Sequence, residues 1–214
     1  MGRVRIKPGA INYLKKSNNL LDSEDKYKKW IKNDQKIFLE IGHGKGQFIT
    51  EIALENKDAK IIGIEKNATI QVKAIKRIEN LKLNNLKFIL GDINNLKSYF
   101  SKNSIEKIFI NFPDPWPKKR HYKRRLLTKE LLIYYHQILK NQGKILIKTD
   151  QKDLFNFVLE NLNDKDLKDK FFIVEKSANL HQYTNEKIIK TEYEEKFIEL
   201  ERSVYYLEIS KNIL

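Results

Sequence analysis

One carboxylate, Asp114, lies between closely spaced prolines in the stretch NFPDPWP, which spans residues 111–117. Each proline fixes its own φ and pushes the residue before it towards extended conformations. We therefore expect Asp114 to be held on a stiff backbone beside the ring of Trp116. A rigid acid next to an aromatic side chain, followed by a cationic run at residues 118–125, suits a site that holds a nucleic-acid base.

The cationic run, KKRHYKRR, contains three of the seven arginines among the chain's 42 lysines and arginines. The formal net charge of +14 and the pI of about 9.6 also suggest a polyanionic partner. Guanidinium groups bind phosphate through two parallel hydrogen bonds, which an ammonium group cannot form. The clustering of Arg120, Arg124 and Arg125 therefore predicts that this run binds phosphates.

Apolar, β-branched runs alternate with helical patterns along the chain. The predicted strands are residues 37–41, 60–64, 86–90, 105–110, 144–148, 171–175 and 204–209. The predicted helices are residues 47–56, 67–83, 128–141 and 152–161, with Thr128 as an N-cap. This alternation predicts an α/β fold with a doubly wound sheet. We expect residues 1–30 to form a basic N-terminal extension and residues 31–214 to form one domain.

Each of the first five predicted strands ends at or near a carboxylate. These residues are Glu40, Glu65, Asp92, Asp114 and Asp150. In a doubly wound sheet, ligands bind beyond the carboxyl ends of the strands, near the point where the strand order reverses. One acid at a strand end means little, but acids at the ends of five strands predict a binding cleft.

The glycine loop after the first strand indicates the kind of ligand. Gly42, Gly44 and Gly46 form a Gly-x-Gly-x-Gly pattern, which lets the backbone turn tightly and approach a ligand closely. A dinucleotide site prefers a further glycine where this chain has Gln47. In addition, Glu40 before the loop would repel a pyrophosphate and suit a cationic ligand.

Two further acids fit the same cationic ligand. Glu65 is placed to accept hydrogen bonds from ribose hydroxyls, and Asp92 can accept one from an adenine amino group. A molecule with a ribose, an adenine, an ammonium and a sulfonium would satisfy both acids and Glu40. The residues therefore predict a site for S-adenosylmethionine.

Composition excludes several other kinds of site. The chain has no cysteine and its four histidines show no zinc spacing, so we expect no disulfide and no metal. No apolar run approaches membrane-spanning length, and the basic, polar start lacks a signal-peptide core. We therefore expect a cytoplasmic protein with no membrane partner.

Several motifs have the order and spacing of one known family. They are LEIGHGKG at residues 39–46, GIE at 63–65, NFPDPWP at 111–117, RHYKRR at 120–125, KTD at 148–150 and TEYE at 191–194. Over about residues 37–210 the chain resembles the bacterial tRNA (guanine-N7-)-methyltransferases. The resemblance implies methyl transfer from S-adenosylmethionine to N7 of the variable-loop guanine, tRNA position 46, leaving S-adenosylhomocysteine. It also implies a Rossmann-like class I methyltransferase sheet, mostly parallel with an antiparallel strand near the C-terminus.

Carried over motif by motif, the resemblance assigns roles to individual residues. The cofactor-binding set is Glu40, Gly42, Gly44, Gly46, Glu65, Asp92 and Asp114. The substrate-binding set is Lys118, Asp150, Thr191, Glu192, Tyr193 and Glu194. The RNA-binding set is Arg120, His121, Tyr122, Lys123, Arg124 and Arg125. Asp114 is also the predicted catalytic residue, because a fixed carboxylate can stabilise the positive charge that develops on the base.

Some assignments have alternatives. Thr191 to Glu194 also fits a capping box that opens a helix, and both roles can hold because a helix N-terminus presents free amides. Trp116 either stacks on a base or fills the core beneath its loop. His43 is a departure from the motif, because a smaller residue is expected inside the glycine loop.

Three rival functions compete with the tRNA methyltransferase. An exocyclic-amine nucleic-acid methyltransferase is the nearest, because NFPD loosely resembles the box that grips amino groups. Gln47 and Glu40 disfavour a nicotinamide-dependent dehydrogenase. The intact acids disfavour a catalytically inactive RNA-binding protein on the same fold. The expected partner is tRNA, no obligate protein partner is evident, and the sequence leaves monomer and homodimer open.

Overall fold

The computed structural model of the chain describes residues 5–32, 35–183 and 189–213. The chain divides into two units, Met1–Phe100 and Ser101–Leu214. The predicted boundary between an extension and a single domain near residue 31 stays a prediction.

The first unit contains three parallel strands in the order β3-β2-β1. They are β1 (Lys36–Ile41), β2 (Ala59–Glu65) and β3 (Leu86–Leu90). Nearly every residue of β1 and β2 is buried, as expected of parallel strands covered on both faces. The helices are α1 (Ala10–Lys15), α2 (Glu24–Trp30), α3 (Gln47–Glu55) and α4 (Ala68–Ile78), with 3₁₀ helices at Ile93–Asn95 and Lys97–Tyr99.

The predicted N-terminal extension carries apolar helical structure in its described part. Helix α1 packs against α4, and Leu14, Leu21 and Tyr27 are buried. Ser23 caps α2 by accepting a hydrogen bond from the amide of Lys26. Residues 5–32 are therefore part of the packing of the first unit.

The second unit contains four strands in the order β4-β5-β7-β6. They are β4 (Ile105–Asn111), β5 (Leu139–Thr149), β6 (Phe171–Ser177) and β7 (Tyr205–Lys211). β4 and β5 are parallel, whereas β7 runs antiparallel to both β5 and β6. The helices are α5 (Lys129–Ile138), α6 (Lys152–Leu162), α7 (Leu180–Tyr183) and α8 (Glu192–Glu199), with a 3₁₀ helix at Lys119–Arg124. The predicted antiparallel strand near the C-terminus is therefore confirmed.

Two helix ends differ from the sequence prediction: α4 ends at Ile78 instead of residue 83, and α5 ends at Ile138 instead of residue 141. Helix α5 begins after Thr128, whose hydroxyl accepts from the amide of Leu131 as expected of an N-cap. The predicted continuation to residue 141 is wrong, because the chain enters β5 at Leu139, which pairs with Ile105 of β4. The next pair is Lys107 with Lys144, so residues 140–143 form a bulge with Gln142 at φ 61°. Pairing within the sheet thus overrides the helical spacing.

Candidate functional site

The glycine loop after β1 has left-handed backbone at each of its three glycines. Gly42, Gly44 and Gly46 have φ values of 83°, 59° and 82°. The amide of Gly42 donates to the carbonyl of Ile64 at the end of β2 (2.8 Å). Gly46 is the N-cap of α3, and a Cβ at this position would lie 2.8 Å from Cβ of Ala74 on α4. The sequence pattern therefore corresponds to real steric and conformational requirements for glycine.

The ring of His43 is buried beneath this loop. It lies against Phe88, with 4.8 Å between ring centroids, and a Cβ on Gly63 would approach its Cδ2 to 2.7 Å. Gln71 is fully buried beside the ring. When its side-chain nitrogen donates to the carbonyls of Glu65 and Ile89, its side-chain oxygen can accept a hydrogen bond from the imidazole of His43. The large residue in the loop is thus accommodated because β2 has a glycine next to it.

The three predicted acids of the first unit differ in their surroundings. Glu40 is 2% exposed at the end of β1. Burial raises the pKa of Glu65, while hydrogen bonds from the backbone of Asn67, Gly44 and Lys66 oppose the shift. Asp92 caps the first 3₁₀ helix, and its Oδ1 accepts from the amide of Asn94 (3.0 Å). The amide of Gly91, just before it, donates to the carbonyl of Glu65 (3.0 Å), so these two strand ends are tied together.

The proline loop after β4, residues 111–117, is strained at two residues that are not glycine. Phe112 has φ 47° and Trp116 has φ 43°, a region that costs an ordinary side chain about 1–3 kcal/mol. Such conformations persist only where the surroundings hold them. Asp114 lies between these two residues and is exposed.

Phe112 is held by its backbone and by its ring. Its amide donates to the carbonyl of Lys148 at the end of β5 (2.8 Å). Its ring centroid is 5.4 Å from that of Phe197 and 6.4 Å from that of Tyr193, both on α8. The structure therefore brings the start of the proline loop next to the segment that contains Thr191 to Glu194.

Trp116 is held by two arginines of the cationic run and by His121. Nε and one terminal nitrogen of Arg125 both donate to the carbonyl of Trp116 (3.1 and 3.0 Å). The guanidinium of Arg124 lies 4.8 Å from the centroid of the Trp116 ring, and the His121 ring meets it edge-on at 5.3 Å. The ring is partly buried by these contacts and does not belong to the buried core. Stacking on a base stays a prediction.

The cationic run divides into outward and inward residues. The exposed members are Lys118, Lys119, Arg120, Lys123 and Arg124. Tyr122 instead packs edge-on against Phe157 and donates to Glu130 (3.3 Å), while the guanidinium of Arg125 lies 4.4 Å from the Phe157 ring centroid. Tyr122 and Arg125, two of the six predicted RNA-binding residues, thus use their side chains to support the proline loop and α5.

The charges of the run act on its histidine. Desolvation lowers the pKa of His121, and the neighbouring cations Arg124, Arg120 and Lys118 lower it further. The imidazole is therefore biased towards its neutral form, which is the expected response to a local excess of positive charge.

The segment from Thr191 to Glu194 forms a reciprocal capping box at the start of α8. The amide of Glu194 donates to the hydroxyl of Thr191 (3.0 Å), and the amide of Thr191 donates to Oε2 of Glu194 (3.2 Å). The predicted cap is confirmed. Tyr193 is exposed and Glu192 is partly exposed, whereas Glu194 is fully buried.

Lys148, which has no predicted role, lies against the carboxylate of Glu194. Its Nζ lies 3.0 Å from both carboxylate oxygens of Glu194 and 3.0 Å from the carbonyl of Ile189. The signal in the sequence is a lysine inside the apolar strand that ends in Asp150. A buried lysine requires a carboxylate partner, but nothing in the sequence says which one. The carboxylate of Asp150 accepts from the side chain of Gln151 (2.6 Å).

Neither a membrane-spanning helix nor a metal-binding cluster is present among the described residues. Every helix within residues 5–32, 35–183 and 189–213 is too short or too polar to cross a bilayer. The same residues contain no group of three or more histidine, aspartate or glutamate side chains placed to hold a metal ion.

Known proteins similar to this chain are methyltransferases. Residues 34–207 match a family described as "Putative methyltransferase". The tRNA (guanine-N(7)-)-methyltransferase of Staphylococcus haemolyticus is 40% identical over 210 residues, which cover 96% of each chain. The protein of the same name from Staphylococcus saprophyticus is 37% identical, over 96% of this chain and 98% of that protein.

Solved structures show the same fold at low sequence identity. The 16S rRNA methyltransferase KamB superposes with a TM-score of 0.65 at 10% identity, covering 90% of this chain and 95% of that one. An antibiotic-related methyltransferase gives a TM-score of 0.59 at 15% identity, covering 90% and 94%. These similarities confirm the predicted Rossmann-like class I methyltransferase fold.

Proposed function

Because this chain belongs to the tRNA (guanine-N(7)-)-methyltransferase family, we propose that it methylates N7 of the variable-loop guanine, position 46, of tRNA. The observation that carries this proposal is the proline loop. Its exposed Asp114 lies between two strained residues and is followed by five exposed cationic side chains. An acid held beside a group of exposed cations suits a site that methylates a base of a polyanionic substrate.

S-adenosylmethionine fits the residues of the first unit. The left-handed backbone of glycines 42, 44 and 46 turns the loop tightly, and the open space beside Gly44 leaves room for close approach of a ligand. Glu40 and Glu65 supply carboxylates at the ends of β1 and β2. Glu40 suits the ammonium and sulfonium charges, Glu65 the ribose hydroxyls and Asp92 the adenine amino group. When bound, this cofactor supplies an electrophilic methyl group. Asp114 stays a predicted member of the cofactor-binding set.

The acceptor nitrogen requires orientation more than activation. Guanine N7 has a free lone pair, so the enzyme has no proton to remove, and alignment of reactants can contribute about 7–11 kcal/mol at best. Asp150 is suited to accept hydrogen bonds from N1 and N2 of guanine, with Lys118 as a further contact. Asp114 would stabilise the positive charge that the purine acquires as it is methylated.

The segment from Thr191 to Glu194 would complete the substrate site. The capping box uses the side chains of Thr191 and Glu194. Tyr193 is exposed and Glu192 is partly exposed, so these two side chains are the candidates to contact the guanosine. The ring of Tyr193 lies beside Phe112 of the proline loop. This proximity supports a guanosine site built from both segments.

The exposed members of the cationic run would contact tRNA phosphates. Arg120 and Arg124, with the three exposed lysines, present their charges to solvent, so they can replace condensed counterions on RNA. Because tRNA is a cytoplasmic substrate in bacteria, the proposal also implies a cytoplasmic protein.

The test is methyl transfer from labelled S-adenosylmethionine to an unmodified tRNA transcript, followed by borohydride–aniline cleavage. We expect incorporation of label and strand scission at position 46, and neither in a transcript with adenine at that position. Incorporation of label without scission would replace the proposal with an exocyclic-amine methyltransferase. Binding of tRNA without incorporation would indicate a binding protein on the same fold.

A further inference from the structure

Lys148 and Glu194 form a buried ion pair that joins β5 to α8. The Lys148 side chain is 7% exposed and that of Glu194 is 0% exposed. The ammonium donates to both carboxylate oxygens of Glu194 and to the carbonyl of Ile189, each at 3.0 Å. Nε2 of His181 lies 3.0 Å from Oε1 of the same carboxylate. A buried charge that loses its partner is strongly destabilising, so this pair favours a fixed distance between β5 and the start of α8.

The main chain of Lys148 contacts the other segment that the proposed function assigns to the substrate. Its carbonyl accepts the amide of Phe112, which begins the proline loop. The same residue therefore contacts the proline loop through its backbone and the α8 capping box through its side chain. Phe112 and Tyr193, one from each segment, lie next to one another at 6.4 Å between ring centroids.

We propose that Lys148 is a positioning residue that sets the α8 capping box against the proline loop, so that the two segments hold the target guanosine in one orientation. This inference rests on the proposed function, and it assigns Lys148 no contact with the guanosine. Glu194 then acts on the substrate only indirectly, because its carboxylate binds Lys148 and closes the capping box. Tyr193 and Glu192 are the residues that would contact the guanosine.

The expected signature is a loss of turnover without a loss of binding. Affinity for tRNA should be governed by phosphate contacts at the exposed cations. Lys148 is buried and is not one of these cations. A guanosine misplaced by about 1 Å reacts up to about a hundredfold more slowly. A purely structural role would instead lower activity only in proportion to the fraction of protein that unfolds.

Three variants separate these roles. Lys148→Met keeps the aliphatic length but leaves the carboxylate of Glu194 without its main partner. Glu194→Gln keeps a capping-box residue and removes the charge. The double variant removes both charges, so it restores a neutral interior while still lacking the ion pair.

A second ion pair on the same strand offers the matched control. Nζ of Lys144 lies 2.7 Å from Oε1 of Glu208 on β7, and Lys144 is on the same face of β5 four residues earlier. Lys144→Met removes a cation from β5 without touching either substrate segment.

The experiment measures melting temperature, affinity for S-adenosylhomocysteine, affinity for tRNA and kcat in the full-length protein. We expect Lys148→Met to lower kcat at least tenfold while both affinities stay within about twofold. The double variant should melt at a higher temperature than Lys148→Met and still have kcat at least tenfold below wild type. Lys144→Met should keep kcat within about twofold.

Two results would overturn the inference. One is a double variant that regains wild-type kcat together with its melting temperature, or that does not fold at all, since either makes the pair purely structural. The other is an equal loss of kcat in Lys144→Met and Lys148→Met. A wild-type protein that fails to methylate tRNA would overturn the proposed function instead, so the two failures are distinguishable.

Discussion

The glycine loop of the first unit and the proline loop of the second both follow a parallel strand, and both use left-handed backbone. The glycine loop places glycine at its left-handed positions, so the conformation costs little. The proline loop places Phe112 and Trp116 there, so the conformation must be held by other contacts. These contacts come from Lys148, Arg125 and the rings of α8.

Under the proposed function, the difference points to two ways of fixing a loop that contacts a ligand. Local preference is sufficient where a loop only has to clear space for a ligand. A loop that must present one charged side chain in a fixed position instead combines prolines with tertiary support. We therefore expect changes in the proline loop to affect turnover most, and changes in the glycine loop to affect cofactor affinity and stability.

The largest expected effect follows from removing the charge that the proline loop presents. Asp114→Asn keeps the shape of the side chain, so we expect kcat to fall about 10²- to 10³-fold, as for loss of a preorganised electrostatic group. Affinity for tRNA should change little. Asp169→Asn, an exposed acid of the same unit, is the control and should retain full activity. Equal kcat in the two variants would remove Asp114 from the chemistry.

The same difference explains how much of the site the sequence could predict. The strands, the glycine positions and the acids at strand ends follow from local patterns, because buried strands and left-handed glycines leave marks in a few adjacent residues. The capping box that begins at Thr191 could also be predicted from the sequence, because its residues are only three positions apart. The pairing of Lys148 with Glu194 was not, because the two residues are 46 positions apart and only the fold brings them together.

Two members of the cationic run show the same limit. Arg120 and Arg125 look alike in the sequence, yet one is exposed and the other donates to carbonyls of Trp116 and Pro117. The predicted extent of α5 failed for a related reason, since strand pairing at Leu139 has no local signal. The role of a side chain cannot be predicted from local sequence when its partner is distant in the sequence, and only the structure identifies that partner.

The next largest effect is expected in the glycine loop, where the stability losses of two matched substitutions can be compared. Ala at either Gly46 or Gly44 must adopt positive φ, which costs about 1–2 kcal/mol. Only at Gly46 does the added Cβ also collide, at 2.8 Å from Cβ of Ala74, whereas nothing lies within 4 Å at Gly44. We expect Gly46→Ala to lose about 2–4 kcal/mol of unfolding free energy and Gly44→Ala about 1. Urea unfolding measures both, and equal losses would contradict the packing argument.

Acid sensitivity should arise beneath the same loop. Burial lowers the pKa of His43 to about 4, against about 6.5 in an unfolded chain. The unfolded chain therefore binds the proton first, and the stability contributed by the neutral ring is lost as pH falls from about 6.5 towards 4. Between pH 7 and pH 5 the loss should be about 2 kcal/mol.

His43→Phe should remove that part of the pH dependence. The comparison uses the difference between wild type and variant, because the raised pKa of Glu65 contributes with the opposite sign in both proteins. His121→Gln, at a partly exposed position in the 3₁₀ helix, is the comparison; the pKa of His121 is also lowered, but its ring is far less buried than that of His43, so this variant should alter the acid profile less than His43→Phe. Parallel profiles for wild type and His43→Phe would show that the ring does not titrate as its burial predicts.

The smallest expected effect distinguishes the two kinds of arginine behind the proline loop. Arg120→Ala should weaken tRNA binding a few-fold and reduce the slope of log affinity against log salt by about 0.7–0.9, as for one lost phosphate contact. Arg125→Ala should leave that slope unchanged and lower kcat roughly tenfold, because its guanidinium supports the carbonyls of Trp116 and Pro117. Binding titrations at several salt concentrations, together with single-turnover rates, measure both. A reduced slope for Arg125→Ala would mean that this side chain leaves the loop to bind RNA, so the loop would owe its rigidity mainly to its prolines and to Phe112.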